Sequence, residues 1–131
     1  YSFFDRVSAE LTGSPDAAVV ATAHNADDHL ETVVFNLLRG SGTRGLSGID
    51  PLRDGRFVRP LICDTGAEIR RWCDNHHVPY VTDATNADTD YTRNFIRHNI
   101  VPQMEYICEN PQRSALRMSF LLRQDRLLQF S

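Results

Sequence analysis

The stretch AAVVATAHNADDHLETVVFNLLRGSGTRGL, residues 17–46, decides the fold. Residues 17–23 form a continuous run of small and β-branched side chains, which is typical of a strand buried on both faces of a parallel sheet. Within residues 27–39, apolar side chains recur at the spacing of one helical face: Leu30, Val33, Val34, Leu37 and Leu38. A buried strand that leads directly into an amphipathic helix indicates an α/β fold.

The rest of the chain continues this alternation. We predict further strands and helices from periodicity and from flanking turn residues: strands over 57–62 and 78–82, and helices over 2–11, 92–100 and 113–130. Thr65 to Glu68 has the form of a capping box, and Asn110 with Pro111 predicts the cap of the last helix. Residues 40–56 are glycine-rich and non-periodic, which predicts a long functional loop. We therefore expect an α/β domain with a partial parallel sheet, followed by C-terminal helices.

Composition excludes several classes of protein. The 131 residues are 41% hydrophobic, which suits one domain with its own core. The longest apolar run is far shorter than the roughly 20 residues of a membrane span, so we expect a cytoplasmic protein without a membrane segment or signal peptide. The three cysteines, Cys63, Cys73 and Cys108, lack CxxC spacing, which argues against a disulfide framework or a thiolate metal site. All 14 basic residues are arginine, so no lysine is present to bind phosphate.

His24, Asp27 and Glu31 are the candidate catalytic residues. A strand that ends at residue 23 delivers His24 to the carboxyl edge of the sheet, where open α/β folds bind their ligands. Asp27 and Glu31 lie four residues apart on the next helix, so both carboxylates project to one side. Such a cluster suits three roles: holding Mg²⁺, with Asp27 as the ligand, orienting an amine, or accepting its proton. The alternative is structural, since Asp27 or Asp28 in that position also suits a helix cap.

Two further sites carry arginines. Arg39 is followed by Gly40, Ser41 and Gly42, a pattern that suits an anion-binding nest of backbone amides or, alternatively, a glycine helix stop. Arg93 and Arg97 are spaced one helical turn apart. They suit phosphate recognition or, alternatively, ion pairs that hold the acidic loop beside them through its aspartates: Asp83, Asp88 and Asp90.

The segments HNADDHLETVVFNLLRGSGTRGL, residues 24–46, and DATNADTDYTRNFIRHNIVP, residues 83–102, resemble the bacterial tRNA(Ile)-lysidine synthetases of the PP-loop ATPase superfamily. The resemblance implies a Rossmann-like adenine nucleotide alpha hydrolase fold. It also implies an enzyme that uses ATP and Mg²⁺ to adenylate the C2 oxygen of the wobble cytidine in an isoleucine tRNA with a CAU anticodon. Free L-lysine would then displace AMP. By the same resemblance, the pocket for the nucleotide and the target base is lined by Arg39, Ser41 and Gly42. The phosphate that the spacing of Arg93 and Arg97 suits would be that of ATP or of the tRNA backbone.

The resemblance lacks one element. The family's Ser-Gly-Gly-x-Asp-Ser phosphate loop is not found in these residues, so we expect a part of a longer protein. Residues 1–109 would be the C-terminal part of its catalytic domain, and residues 110–131 a helical linker toward tRNA-binding domains. We expect this part alone to be inactive and to self-associate through uncovered apolar surfaces.

Three alternatives stay open at this point. A tRNA thiolation enzyme of the same superfamily would share the first segment, although such enzymes usually carry a cysteine pair or an iron–sulfur cluster. A metal-dependent hydrolase would use four nearby side chains as ligands: His24, Asp27, His29 and Glu31. A non-catalytic interaction module would use none of these four side chains for catalysis or for metal binding.

Overall fold

The computed structural model describes residues 2–14, 17–81 and 91–129. Its helices are α1 Ser2–Thr12, α2 Ala26–Arg39, α3 Thr43–Leu46, α4 Gly66–Asn75, α5 Tyr91–Phe95, α6 Val101–Met104 and α7 Pro111–Gln129. A π-helical turn, Ile96–Ile100, joins α5 to α6, and the strands are β1 Val20–Ala21, β2 Leu52–Arg53 and β3 Phe57–Val58. The predicted α/β class is confirmed.

The three strands form one small mixed sheet in the order β1-β3-β2. β1 pairs with β3 in parallel, with Val20 opposite Phe57, and β2 pairs with β3 in the antiparallel direction. Helix α1 packs on this sheet through two contacts. The Phe4 and Phe57 rings lie edge to face with their centroids 6.5 Å apart, and Asp5 forms an ion pair with Arg56. The expected parallel pairing is present between β1 and β3, and the β2–β3 pair makes the sheet a mixed one.

The prediction that residues 17–23 are buried on both faces is wrong. Val19 is 65% exposed, and exposed residues alternate with half-buried ones along the segment. Within the part of the chain that the structure describes, the strand therefore has one covered face and one open face. The apolar composition of residues 17–23 predicted that both faces are buried, but composition alone does not show which element packs on each face.

Residues 40–56 contain two elements that the loop prediction missed. Helix α3 begins just after Gly42, and β2 forms a hairpin with β3. Asp54 and Gly55 both have positive φ, 56° and 64°, as the two central residues of a type I′ turn require. The Asp-Gly pair between two short strands is itself a hairpin signal, so this element was readable in the sequence.

The predicted strand over residues 78–82 is wrong for residues 78–81, and Thr82 lies outside the described residues. His77 adopts a left-handed φ of 56° after α4, and the Val78 amide donates to the Cys73 carbonyl at 2.8 Å. This is a helix-ending motif rather than a strand start. Val81 is 92% exposed, and therefore contributes nothing to the core.

The C-terminal helices follow the prediction closely. The predicted helix over 92–100 is confirmed, but it widens into the π-helical turn before Pro102. Proline has no N–H to donate, and in a regular helix its ring would clash with the carbonyl four residues earlier. Asn110 Oδ1 accepts from the Arg113 amide at 3.1 Å, which confirms the predicted cap of α7. Apolar side chains from α2, this turn, α6 and α7 form the core: Leu30, Val34, Ile96, Val101 and Ala115.

Candidate functional site

The start of α2 is capped by Asn25 and Asp28. Asn25 Oδ1 accepts from the Asp28 amide at 3.1 Å, and Asp28 Oδ2 accepts from the Asn25 amide at 2.9 Å. This reciprocal box satisfies the start of the helix without using the Asp27 side chain. The capping role therefore belongs to Asp28 rather than Asp27.

Asp27 instead joins three elements of the fold. Its Oδ2 accepts from the Gly66 amide at the start of α4 at 2.8 Å, and its Oδ1 accepts from Gln112 Nε2 in the first turn of α7 at 3.0 Å. Gly66 leaves room for this approach, because a Cβ there would lie 3.2 Å from Asp27 Oδ2. The carboxylate is thus fixed by donors from two sides.

Glu31 and Arg97 form a bidentate ion pair. Arg97 Nε donates to Glu31 Oε2 at 2.7 Å and Arg97 Nη2 donates to Glu31 Oε1 at 3.0 Å, while Glu31 is only 2% exposed. Burial raises the pKa of Glu31, and the hydrogen bond from Arg97 partly offsets that rise. The same hydrogen bond raises the pKa of Arg97. The guanidinium therefore holds a buried carboxylate in place.

Arg93 lies beside this pair. Its Nη2 donates to Thr32 Oγ1 at 3.2 Å, and its Nη1 lies 4.0 Å from carboxylate oxygens of both Asp28 and Glu31. Arg93 and Arg97, spaced one helical turn apart, therefore lie side by side and both contact acidic side chains of α2. The acidic partners that the sequence suggested lie outside the described residues: Asp83, Asp88 and Asp90.

A cleft of about 320 Å³ opens where these elements meet. Seven charged or amide side chains line it: Asn25, Asp27, Glu31, Arg70, Arg97, Glu105 and Gln112. Three carboxylates and two guanidiniums in one small cleft provide partners for both a cationic and an anionic group of a ligand. Sequence analysis missed Arg70 on α4, Glu105 just after α6 and Gln112 on α7, because they lie far from α2 in the chain and carry no motif of their own.

His24 lies apart from this cleft. Its Nδ1 is 2.8 Å from Oγ1 of Thr22, the residue just after β1, and His24 is not among the residues that line the cleft. The structure therefore brings Asp27 and Glu31 to one cleft but does not add His24 to them. A catalytic role for His24 remains a prediction.

The glycine loop lies at the other end of α2. Gly40 has a left-handed φ of 81°, its amide donates to the Leu37 carbonyl at 3.2 Å, and the Ser41 amide donates to the Asn36 carbonyl at 3.0 Å. These bonds form a helix-ending motif, so both amides are already used. Arg39 lies 5.0 Å over the Phe35 ring. The helix-stop alternative thus describes Gly40 and Ser41, whereas the pocket roles of Arg39, Ser41 and Gly42 stay predictions.

The described side chains do not form a cluster of metal ligands. Across residues 2–14, 17–81 and 91–129, no three or more His, Cys, Asp or Glu side chains come together to hold a metal ion. His29 is fully buried in α2 and lies against Gly48, where a Cβ would be 2.5 Å from its ring. The four-ligand hydrolase site is therefore not formed. The three cysteines are free thiols and make no cluster.

In the described ranges, no helix is both long and apolar enough to cross a membrane.

Comparisons with known proteins agree with this architecture. A PP-loop domain model matches residues 1–104. The tRNA(Ile)-lysidine synthase of Parabacteroides distasonis is 44% identical over 107 residues, which is 82% of this chain and 23% of the relative. That of Bacteroides thetaiotaomicron is 42% identical over 119 residues, 91% of this chain and 27% of the relative. The chain thus spans about a quarter of these curated relatives.

Among solved structures, a U34-tRNA thiolase, NcsA from Methanococcus maripaludis with its [4Fe-4S] cluster, aligns with a TM-score of 0.66. It is 20% identical, and the alignment covers 93% of this chain and 41% of that one. At this identity the likeness concerns the fold alone. The fold and the family model agree, and the chain belongs to the PP-loop domain family.

Proposed function

We propose that the protein containing this chain is a tRNA(Ile)-lysidine synthase. It uses ATP to adenylate the C2 oxygen of the wobble cytidine in an isoleucine tRNA with a CAU anticodon, and it then joins free L-lysine to that carbon in the cytoplasm. The observation that carries the proposal is the 42–44% identity to synthases of this name across 82–91% of the chain. Residues 1–109 belong to its catalytic domain and residues 110–131 to a helical linker.

The charged cleft suits the second half of this reaction. An amine that attacks carbon must be oriented and must lose a proton, and Asp27 presents a fixed carboxylate for both tasks. Glu31 adds negative charge to the same cleft, while Arg97 and Arg70 supply donors for an anionic group. The lysine substrate carries ammonium and carboxylate groups, so a cleft with both kinds of partner matches its chemistry.

ATP and Mg²⁺ fit the described residues only in part. Asp27 is one carboxylate rather than a cage, which suits Mg²⁺ held mainly by phosphate oxygens and water. Bound ATP supplies the adenylyl group, and Mg²⁺ offsets the charge of its phosphates. Arg93 and Arg97 are the guanidiniums of this chain for phosphate of ATP or tRNA, although both already contact acids of α2.

A tRNA thiolation enzyme is the second candidate, because the fold aligns with that of a U34-tRNA thiolase. The state of the cysteines argues against it. Cys63, Cys73 and Cys108 are all described, all free and not gathered into a ligand set. An iron–sulfur cluster requires cysteine ligands held together, so these residues do not suit one.

The test uses the full-length protein with isoleucine tRNA, ATP and lysine, followed by mass analysis of the nucleosides. We expect a cytidine derivative that carries lysine. Asp27→Asn keeps the size of the side chain and removes its charge, and it should abolish the product. Asp125→Asn, at an exposed position of α7, is the matched control and should retain the activity. Absence of the product with the wild-type protein refutes the proposal, and a sulfur-containing nucleoside would favour thiolation.

A further inference from the structure

Gln112 holds the carboxylate at the centre of the cleft. Asp27 accepts one bond from a backbone amide, which a side-chain substitution does not remove, and one from the Gln112 side chain, which it does. The two residues are 85 positions apart in the chain, so the contact joins the first half of the fold to α7. We propose that Gln112 is a positioning residue that fixes the Asp27 carboxylate for its reaction with the amine. This inference rests on the proposed function.

The place of Gln112 in α7 explains why it can do this. Asn110 caps the helix and Pro111 occupies its first position, so Gln112 lies in the first turn with a defined backbone direction. Its side chain is half-buried between two elements rather than free in solvent. The capped backbone fixes the point from which the Gln112 side chain reaches Asp27, which favours a single orientation of the carboxylate.

Gln112 lines two clefts. It belongs to the charged cleft of about 320 Å³ and to a second cleft of about 380 Å³, which is lined in part by Cys63, Thr65 and Arg113. A shorter side chain would remove the donor to Asp27 and release the carboxylate.

The chemistry of an amide suits this role better than a charged donor. The amide nitrogen donates a hydrogen bond to Asp27 but carries no positive charge, so it does not offset the negative charge that attracts an incoming ammonium or amine. Arginine or lysine in the same place would pair with Asp27 and compete with the substrate. The negative charge of the cleft is therefore preserved while its geometry is fixed.

The experiment measures kcat and KM of the full-length protein for lysine, ATP and tRNA. Gln112→Ala removes the side chain, and Gln112→Glu keeps its size but replaces the donor with a second carboxylate. Both should lower kcat on the order of 10-fold, because a misplaced reacting group slows the step itself. The KM for tRNA should stay unchanged. Gln124→Glu, the same substitution at an exposed position of α7, is the control and should leave both constants unchanged.

A merely structural role gives a different result. It would lower the melting temperature of the Gln112 variants while kcat per folded molecule stayed within about twofold of the wild type, and that result overturns the proposal. A matching fall of kcat in Gln124→Glu overturns it as well. Failure of the proposed function is separate, because the wild type would then make no lysine-bearing nucleoside. In that case crystal structures of the wild type and Gln112→Ala decide the inference: an Asp27 rotamer that does not change refutes it.

Discussion

Removal of Arg97 tests the buried ion pair that holds one side of the cleft. Glu31 is 2% exposed, and both of its oxygens accept from Arg97. Arg97→Ala would leave that carboxylate in a poorly hydrated place with its main partner gone. The physical cost is that of an uncompensated buried charge rather than that of a lost surface contact.

The expected loss in the free energy of unfolding follows from how deeply the ion pair is buried. Breaking a fully buried pair by removing one partner costs roughly 3–5 kcal/mol. The Arg97 side chain is 43% exposed, and Arg93 remains 4.0 Å from Glu31, so water and a second cation replace part of the loss. We therefore expect a loss of about 2 kcal/mol in the free energy of unfolding, which is a fall of roughly 6–8 °C in Tm for a domain of this size.

The pH dependence has a definite sign. Burial raises the pKa of Glu31, and Arg97 counteracts this, so removing Arg97 raises the pKa of Glu31 further. A carboxyl group whose pKa is raised by folding contributes stability at low pH and loses it as the pH rises through the folded pKa. The deficit of Arg97→Ala should therefore be largest near neutral pH and should shrink as the pH falls toward the ordinary range of a glutamate.

The assay is thermal unfolding followed by circular dichroism at a series of pH values. Arg117→Ala, at an exposed position of α7, is the matched control and should change Tm by about 1 °C or less. Glu31→Gln combined with Arg97→Ala should recover part of the deficit, because a neutral amide replaces the stranded charge. A deficit near zero at neutral pH, or one that grows as the pH falls, would refute the reasoning.

Three further predictions concern single positions and the open sheet face. Asn25→Ala removes the cap of α2 and should cost about 1 kcal/mol in urea unfolding, whereas no change would mean that the capping box contributes nothing. Gly48→Ala should lower Tm more than Gly40→Ala in thermal unfolding. Both glycines have positive φ, but only the Cβ at Gly48 would meet His29, at 2.5 Å, so equal falls in Tm would contradict the steric argument. The isolated chain should self-associate through the exposed face around Val19, and a clean monomer in sedimentation at micromolar concentration would contradict this.

Helices were predicted well because their signals are local. The apolar spacing that predicts α2 and the Asn110–Pro111 start of α7 both lie within one or two turns of chain. Strands were overestimated because a strand needs a partner, and pairing is a tertiary property. Residues 17–23 contain a paired segment of only Val20–Ala21, and residues 78–81 form none.

The candidate site was predicted in its residue types more than in its contacts. Spacing along α2 placed Asp27 and Glu31 on one side, and the structure puts both in one cleft with Arg97. The donors to Asp27 were not predictable, since Gly66 is 39 and Gln112 is 85 residues away, and the capping box that contains Gly66 does not indicate a contact with α2. Such contacts depend on how α4 and α7 pack, which periodicity does not report.

The length of α2 separates two of the candidate sites, the carboxylates at its start and the glycine loop at its end. Asp27 and Arg39 are twelve residues apart on one helix, which is roughly 18 Å at 1.5 Å per residue. A group the size of lysine does not reach both ends. The Gly40 and Ser41 amides are also committed to ending the helix, so neither amide is free to bind an anion. In our proposal the two ends of α2 therefore meet different groups: the Asp27 end, with Arg93 and Arg97, serves the amine and the phosphate, and the glycine-loop end serves the nucleotide or the target base of the tRNA.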